Sequence, residues 1–173
     1  MFSRLFKRKS VEETPRASGI VIFLLQEHLE RFTTEQLNTA MQTAWHRPHE
    51  PTTFFATSLG DEGAVIKFGA ALYPIVYSDQ PLQSDDLGEF ELPSWADHRA
   101  TTRFSMEFPG GIADDSLSMF YGVAGFLVAQ LVSSSTRALF FQESGVFVPT
   151  SLTVMERLRS PGGFLPAELG DLR

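Results

Sequence analysis

The sequence predicts an α+β fold, a mainly antiparallel sheet with helices on one face. Three observations carry that expectation. Residues Ser116–Thr136 (SLSMFYGVAGFLVAQLVSSST) hold no charge and space their apolar side chains as a buried helix does. Gly19–Leu25 (GIVIFLL) is a continuous apolar run rich in β-branched residues, the mark of a strand covered on both faces. The order strand, helix, three strands, helix, strand, joined by hairpin-length turns, is that of a split βαβ unit with an inserted strand and a long flap.

Residues 1–17 read as a basic mobile tail. Arg4, Lys7, Arg8, Lys9 and Arg16 outweigh Glu12 and Glu13, and Phe2, Leu5 and Phe6 lie among the bases. Residues 2–9 have the make-up for weak peripheral contact with an anionic membrane, but are too short to anchor alone. Residues 18–166 read as one α+β domain, and 167–173 as a C-terminal tail. A hydrophobic content of 43%, with 16 Phe, is ample for a core.

After the first strand comes a loop through Glu27, His28, Leu29 and Glu30. Thr33 then offers a helix cap, Gln36 closes a capping box, and Phe32 is placed to staple onto Leu37. Leu37, Ala40, Met41, Ala44 and Trp45 share a helix face, and Pro48 and Pro51 end the helix. Thr52–Leu59 and Ala64–Phe68 form a hairpin about Gly60-Asp61-Glu62-Gly63. The return strand runs on to Tyr77, with Gly69 as a bulge or bend. Pro74 requires an edge or the end of ladder pairing.

Residues 78–98 (SDQPLQSDDLGEFELPSWADH) show no period, but Leu82, Leu87, Phe90, Leu92 and Trp95 supply apolar anchors, so an ordered flap is expected. Thr101–Phe108 alternates. Phe104, Met106 and Phe108 face inward, and Arg103, Ser105 and Glu107 face out. Pro109-Gly110-Gly111 turns the chain into the central helix.

Asp114-Asp115 before that helix and Arg137 after it suit the helix dipole. Leu117, Phe120, Tyr121, Ala124, Leu127, Val128 and Leu131 make one apolar stripe. Met119, Val123, Phe126 and Val132 make a second, so two sides need cover. Gly122 and Gly125 admit the close approach of another backbone. About 20 apolar residues span a bilayer, but Ser116, Ser118, Gln130, Ser133–Ser135 and the two glycines dilute this run. Its flanks also lack a Lys/Arg excess. A sandwiched core helix is expected, not a transmembrane span. Arg137–Gln142 and Gly145–Val148 form a last hairpin. A helix over Ser151–Arg159 buries Leu152, Met155 and Leu158, and Pro161-Gly162-Gly163 opens the tail.

The net charge of −7 is unevenly placed, since residues 17–173 alone carry −10. A body so acidic is a poor binder of nucleic acid, which requires clustered Lys and Arg, and it attracts basic partners. The chain has no cysteine, hence no disulfide, thiolate metal site or cysteine nucleophile. A cytoplasmic location is expected. No phosphate loop or dinucleotide glycine fingerprint occurs, and no cofactor is expected. His46, His49 and Glu50 in WHRPHEP miss the HExxH spacing and straddle Pro48, so a solvated helix end is the reading there. Asp97-His98 could form half of a triad with Ser105 or Ser116, but no G-x-S-x-G elbow accompanies it. His98 is expected to satisfy a loop carbonyl or pack on Trp95. Asp114-Asp115-Ser116 reads as a helix cap.

The hairpin, the strand end Tyr73-Pro74-Ile75-Val76, the flap ending in Trp95-Ala96-Asp97-His98-Arg99-Ala100, the long apolar helix and RALFF…SGVFVP together resemble, in layout, the uncharacterised bacterial DUF4261-like domain family. The likeness spans residues 19–166. It differs in a reduced proline-rich start to the flap, here Tyr73-Pro74 and Gln80-Pro81. It implies an α+β cytosolic protein and carries no site residues across.

The expected function is that of a non-catalytic binding or adaptor protein, such as a bacterial immunity-type protein that takes a basic partner. Its binding residues are Asp79, Asp85, Asp86, Glu89, Glu91, Trp95, His98 and Arg103, and the apolar helix side is a surface for a partner or for homo-oligomers. The alternative is a small-ligand enzyme with a polar sheet-face pocket near Asp97, His98, Arg103 and Glu107.

Overall fold

The computed structural model describes residues 17–172, so the readings of residues 1–16 lie outside the described residues. The apolar run at the start forms β1 (Ala17–Gln26), followed by α1 (Thr34–Trp45), β2 (Phe54–Ser58), β3 (Gly63–Phe68) and β4 (Ala71–Ser78). The flap contains a single-turn helix, α2 (Ser84–Leu87), and leads into β5 (Ala100–Ile112). Then come α3 (Asp114–Leu131), β6 (Thr136–Phe141), β7 (Val146–Pro149), α4 (Leu152–Leu158) and α5 (Pro166–Gly170).

One sheet has the order β2-β3-β4-β5-β1-β6-β7, and every neighbouring pair is antiparallel. Both β5 and β6 oppose β1, so they are parallel to each other with β1 between them. The segment β5–α3–β6 is therefore the split βαβ unit. The apolar character of β1 follows from its place. Ile20, Ile22 and Leu24 enter the core under the helices, and Phe23 and Leu25 enter a second cluster on the opposite face. Helices α1, α3, α4 and α5 contribute to the first cluster, and the flap covers the second.

Thr33 caps α1 as the capping box requires. Its hydroxyl accepts the Gln36 N–H at 3.2 Å, and the Gln36 side chain accepts the Thr33 N–H at 2.8 Å. The helix also seals an open sheet edge. The Asn38 amide pairs with the Ala56 N–H and carbonyl, both at 2.9 Å, as a neighbouring strand would. Pro74 sits within the β3 ladder opposite Val65, but β4 pairs with β5 only from Ile75 onward, so the missing N–H falls just past the ladder end.

Several local expectations change. Gly69 is part of a tight turn, and the run after it is a separate strand. Pro109–Gly111 belong to the end of β5, not to a turn before the helix. Asp114 and Asp115 lie in the first turn of α3 with Ala113 at the cap, and α3 stops at Leu131. Arg137 stands in β6 and pairs with Glu27. Ser105, on the face that alternation assigns to the outside, is buried. Leu152 is 85% exposed, and Val154 takes the buried place in α4.

Cover on the second side of α3 is partial. Met119 is exposed, and Val123 and Phe126 are half-buried. The glycine side is closed by the C-terminal segment. A Cβ at Gly122 would lie 2.8 Å from the Gly163 Cα, and one at Gly125 would lie 3.0 Å from the Leu158 carbonyl oxygen. Residues 167–170 of the expected C-terminal tail are instead helical, and Leu169 lies in the main core, as does Phe164 before them. Among the described residues no helix is long and apolar enough to cross a membrane.

Candidate functional site

The flap leaves β4 at Ser78 and returns at Ala100, and apolar anchors fasten it to the sheet. Leu82 and Ala96 are buried with Phe23, Leu25, Ala138, Phe140 and Phe147, and Leu87 and Phe90 pack against the same cluster. Phe140 lies at the centre. It stacks on Phe147 at 4.1 Å between ring centroids and on Phe23 at 5.9 Å, and meets Phe90 edge-on at 6.5 Å. The Gln142 side chain donates to the Asp86 carbonyl at 2.7 Å.

His98 is the polar rivet. It is 6% exposed. Its Nε2 accepts the Leu82 N–H at 2.9 Å, and its Nδ1 lies 2.8 Å from the Ala96 carbonyl oxygen. An accepting Nε2 requires the proton on Nδ1, which donates to that carbonyl. Both ring nitrogens are therefore committed to backbone groups at the two ends of the flap. Replacing His98 by alanine is expected to cost about 1–3 kcal/mol, by leaving the buried Leu82 N–H and Ala96 carbonyl unpaired. Amide exchange at Leu82 should speed up correspondingly. Unchanged protection there would show that the imidazole does not hold the flap.

The anchors turn inward, and most of the carboxylates turn outward. Asp79, Asp85, Glu89 and Glu91 are exposed. Asp86 is partly buried and accepts the Gln83 N–H at 3.3 Å, so its role is local capping. Between Ser78 and His98 the sequence holds no Lys or Arg. Trp95 stands on a 3₁₀ turn at Ser94–Ala96 and is 43% exposed beside buried Ala96. It borders a cleft of about 600 Å³ with Glu27, His28, Asp97, His98, Arg99 and Arg137.

Arg103 is not on that surface. It is half-buried, with its guanidinium carbon 5.9 Å from the Phe23 ring centroid and its Nε without a partner. Glu107 belongs to another cleft, of about 630 Å³, with Ser18, Gly19, Val21 and Glu143. From Ala100 to Glu107 is roughly 20 Å of extended strand. The enzyme reading needs Asp97, His98, Arg103 and Glu107 around one ligand, whereas Asp97 and His98 line the cleft beside Trp95 and Glu107 lines the one beside Glu143.

Glu143, in the 3₁₀ turn between β6 and β7, is not among the candidate residues that the sequence supplies. Its carboxylate accepts the Val21 N–H at 3.0 Å, just beyond the last β1–β6 pair at Ile22 and Phe141. The residue as a whole is exposed, but its carboxyl is sheltered, and that shelter raises its pKa above the usual carboxylate range against the hydrogen bond from Val21 and the charge of Arg103. Burial, and secondarily the charge of Glu143, pushes the Tyr121 hydroxyl up as well. No spacing in the sequence signals this group, because β6 and β1 are distant in the chain.

Glu50, in the WHRPHEP segment, accepts from the Thr53 hydroxyl and from Arg47 at 2.9 Å. Those bonds hold its carboxyl below the usual range. Among the described residues no group of three or more His, Asp or Glu side chains is placed to hold a metal ion. Compared with family models, with curated proteins and with solved structures, the chain matches none.

Proposed function

We propose that this chain is a non-catalytic cytoplasmic binding module that takes a basic protein partner on the outer side of the flap. The observation that carries the reading is the division of labour within residues 78–98. Apolar anchors and His98 fasten the segment to the sheet, and Asp79, Asp85, Glu89, Glu91 and Trp95 are left on its exposed side. Rigid backing lowers the entropy lost when a partner docks. The exposed carboxylates offer a Lys or Arg side chain a counter-charge, and the exposed part of Trp95 adds apolar contact area. The half-covered side of α3, with Met119, Val123 and Phe126, is a second apolar surface for a partner or for another copy of the chain. An acidic surface of this kind repels nucleic acid.

The test begins with copurification at low salt from the native host, followed by affinity measurements on the captured protein. Trp95→Ala is expected to weaken binding by about 2 kcal/mol, roughly thirtyfold, as a central aromatic anchor does. The triple variant Asp85→Asn, Glu89→Gln, Glu91→Gln should flatten the salt dependence. A partner whose affinity ignores both changes and is the same at low and high salt removes the reading.

A further inference from the structure

We propose that an apolar cavity beneath α3 is a binding site for a small neutral molecule: one six-membered ring or a body of that size, carrying a single hydrogen-bond acceptor. The cavity holds about 170 Å³ and is walled by Trp45, Phe68, Tyr73, Phe104, Met106 and Phe120, with Val123 at its side. It lies between the end of α1, strands β3 to β5 and the face of α3. Phe104 and Met106, its floor, are fully buried, whereas Trp45, Phe68, Tyr73, Phe120 and Val123 are only partly so. A guest therefore has a way in from the half-covered side of α3.

Two features here are unsatisfied within the chain. Close-packed interiors leave few voids larger than a water molecule, and this one is large enough for a ring, since an apolar cavity of about 150 Å³ takes benzene. The indole Nε1–H of Trp45 is also buried with no hydrogen-bond partner. Its ring is locked by edge contacts with Phe54 at 5.8 Å and Phe68 at 5.4 Å between centroids, so it is not free to turn its N–H elsewhere. Water does not answer both needs, because a buried water requires two to four polar partners and these walls are almost wholly aromatic and aliphatic. An apolar body with one oxygen acceptor fills the void and pairs the indole. Charged guests are excluded, because among the described residues no charged side chain lines the cavity. This inference is independent of the flap, since none of the cavity walls belongs to residues 78–98.

Acetophenone and ethylbenzene have nearly the same shape and differ in the acceptor, so they are the probes. Each is titrated into the full chain and followed by amide, methyl and indole N–H resonances. Both are expected to shift the resonances of Phe104, Met106 and Val123. Acetophenone alone should move the Trp45 indole N–H downfield, and should bind about fivefold more tightly, the worth of one net hydrogen bond. Trp45→Phe should abolish the preference while ethylbenzene still binds, and Val123→Leu, which fills the void, should weaken both probes about tenfold. If either variant fails to fold, the comparison of the two probes on the unaltered chain decides. Absent shifts at the cavity walls, or equal affinities with the Trp45 indole unmoved, overturn the proposal.

Discussion

Gly163→Ala is expected to lower the unfolding free energy by about 2–5 kcal/mol, although it adds one methyl group to a loop. Gly163 has φ +66, a conformation that costs an L-residue energy, and a Cβ there would be driven into the Ser118 carbonyl of α3. The same carbonyl accepts the Phe164 N–H at 3.2 Å. Displacing the loop therefore unseats Phe164 from its ring contacts with Tyr121 at 5.9 Å and Phe141 at 6.1 Å. Gly162 provides the control from the neighbouring position, because nothing lies within 4 Å of its added Cβ and its φ is not positive. Gly162→Ala should change stability by no more than about 0.5 kcal/mol. Urea midpoints of the two variants test the claim. Equal midpoints would mean that the Gly122–Gly163 contact does not fasten the C-terminal segment.

Phe140→Ala should cost about 3–5 kcal/mol, as expected of a fully buried ring whose site cannot collapse. Its particular signature is local. Phe140 is the meeting point of Phe23, Phe147 and the flap residue Phe90, so its loss loosens residues 78–98 before the whole chain unfolds. Phe54→Ala makes the comparison. Phe54 is equally buried but packs on the helix side of the sheet, with Trp45 and Phe68. A protease that cuts after glutamate should nick Phe140→Ala at Glu89 and Glu91 under native conditions. Phe54→Ala should resist at those sites when both are held at matched stability. Identical cleavage patterns would mean that the flap is held by something other than this ring cluster.

The sequence exposed the elements whose cause is local. The box from Thr33 to Gln36 is four residues long, so its two hydrogen bonds follow wherever the chain is placed. The double apolar demand of Ile20 to Leu25 could only be met inside a sheet with both faces covered. The flap's order was legible in Leu82, Leu87 and Phe90, and the role of His98 was anticipated as a carbonyl partner, which Ala96 supplies. That Asp97 and Glu107 line different clefts was not legible. Alternation along β5 tells which side each residue takes, but does not tell that Ser105 is buried and Arg103 half-buried while Glu107 stays exposed.

The two Pro-Gly-Gly segments mark the boundary between what local chemistry decides and what it does not. Pro109-Gly110-Gly111 and Pro161-Gly162-Gly163 carry the same residues and the same turn signal. One ends a strand, and the other locks a glycine against the backbone of α3. Backbone preference depends on a few adjacent residues, so the chain by itself determined an α+β sheet, its caps and its apolar faces. The pairing of Gly122 with Gly163, of Val21 with Glu143, and of Trp45 with Phe68 joins residues far apart in sequence. Such contacts form only when packing brings distant segments together, and only the tertiary structure decides them.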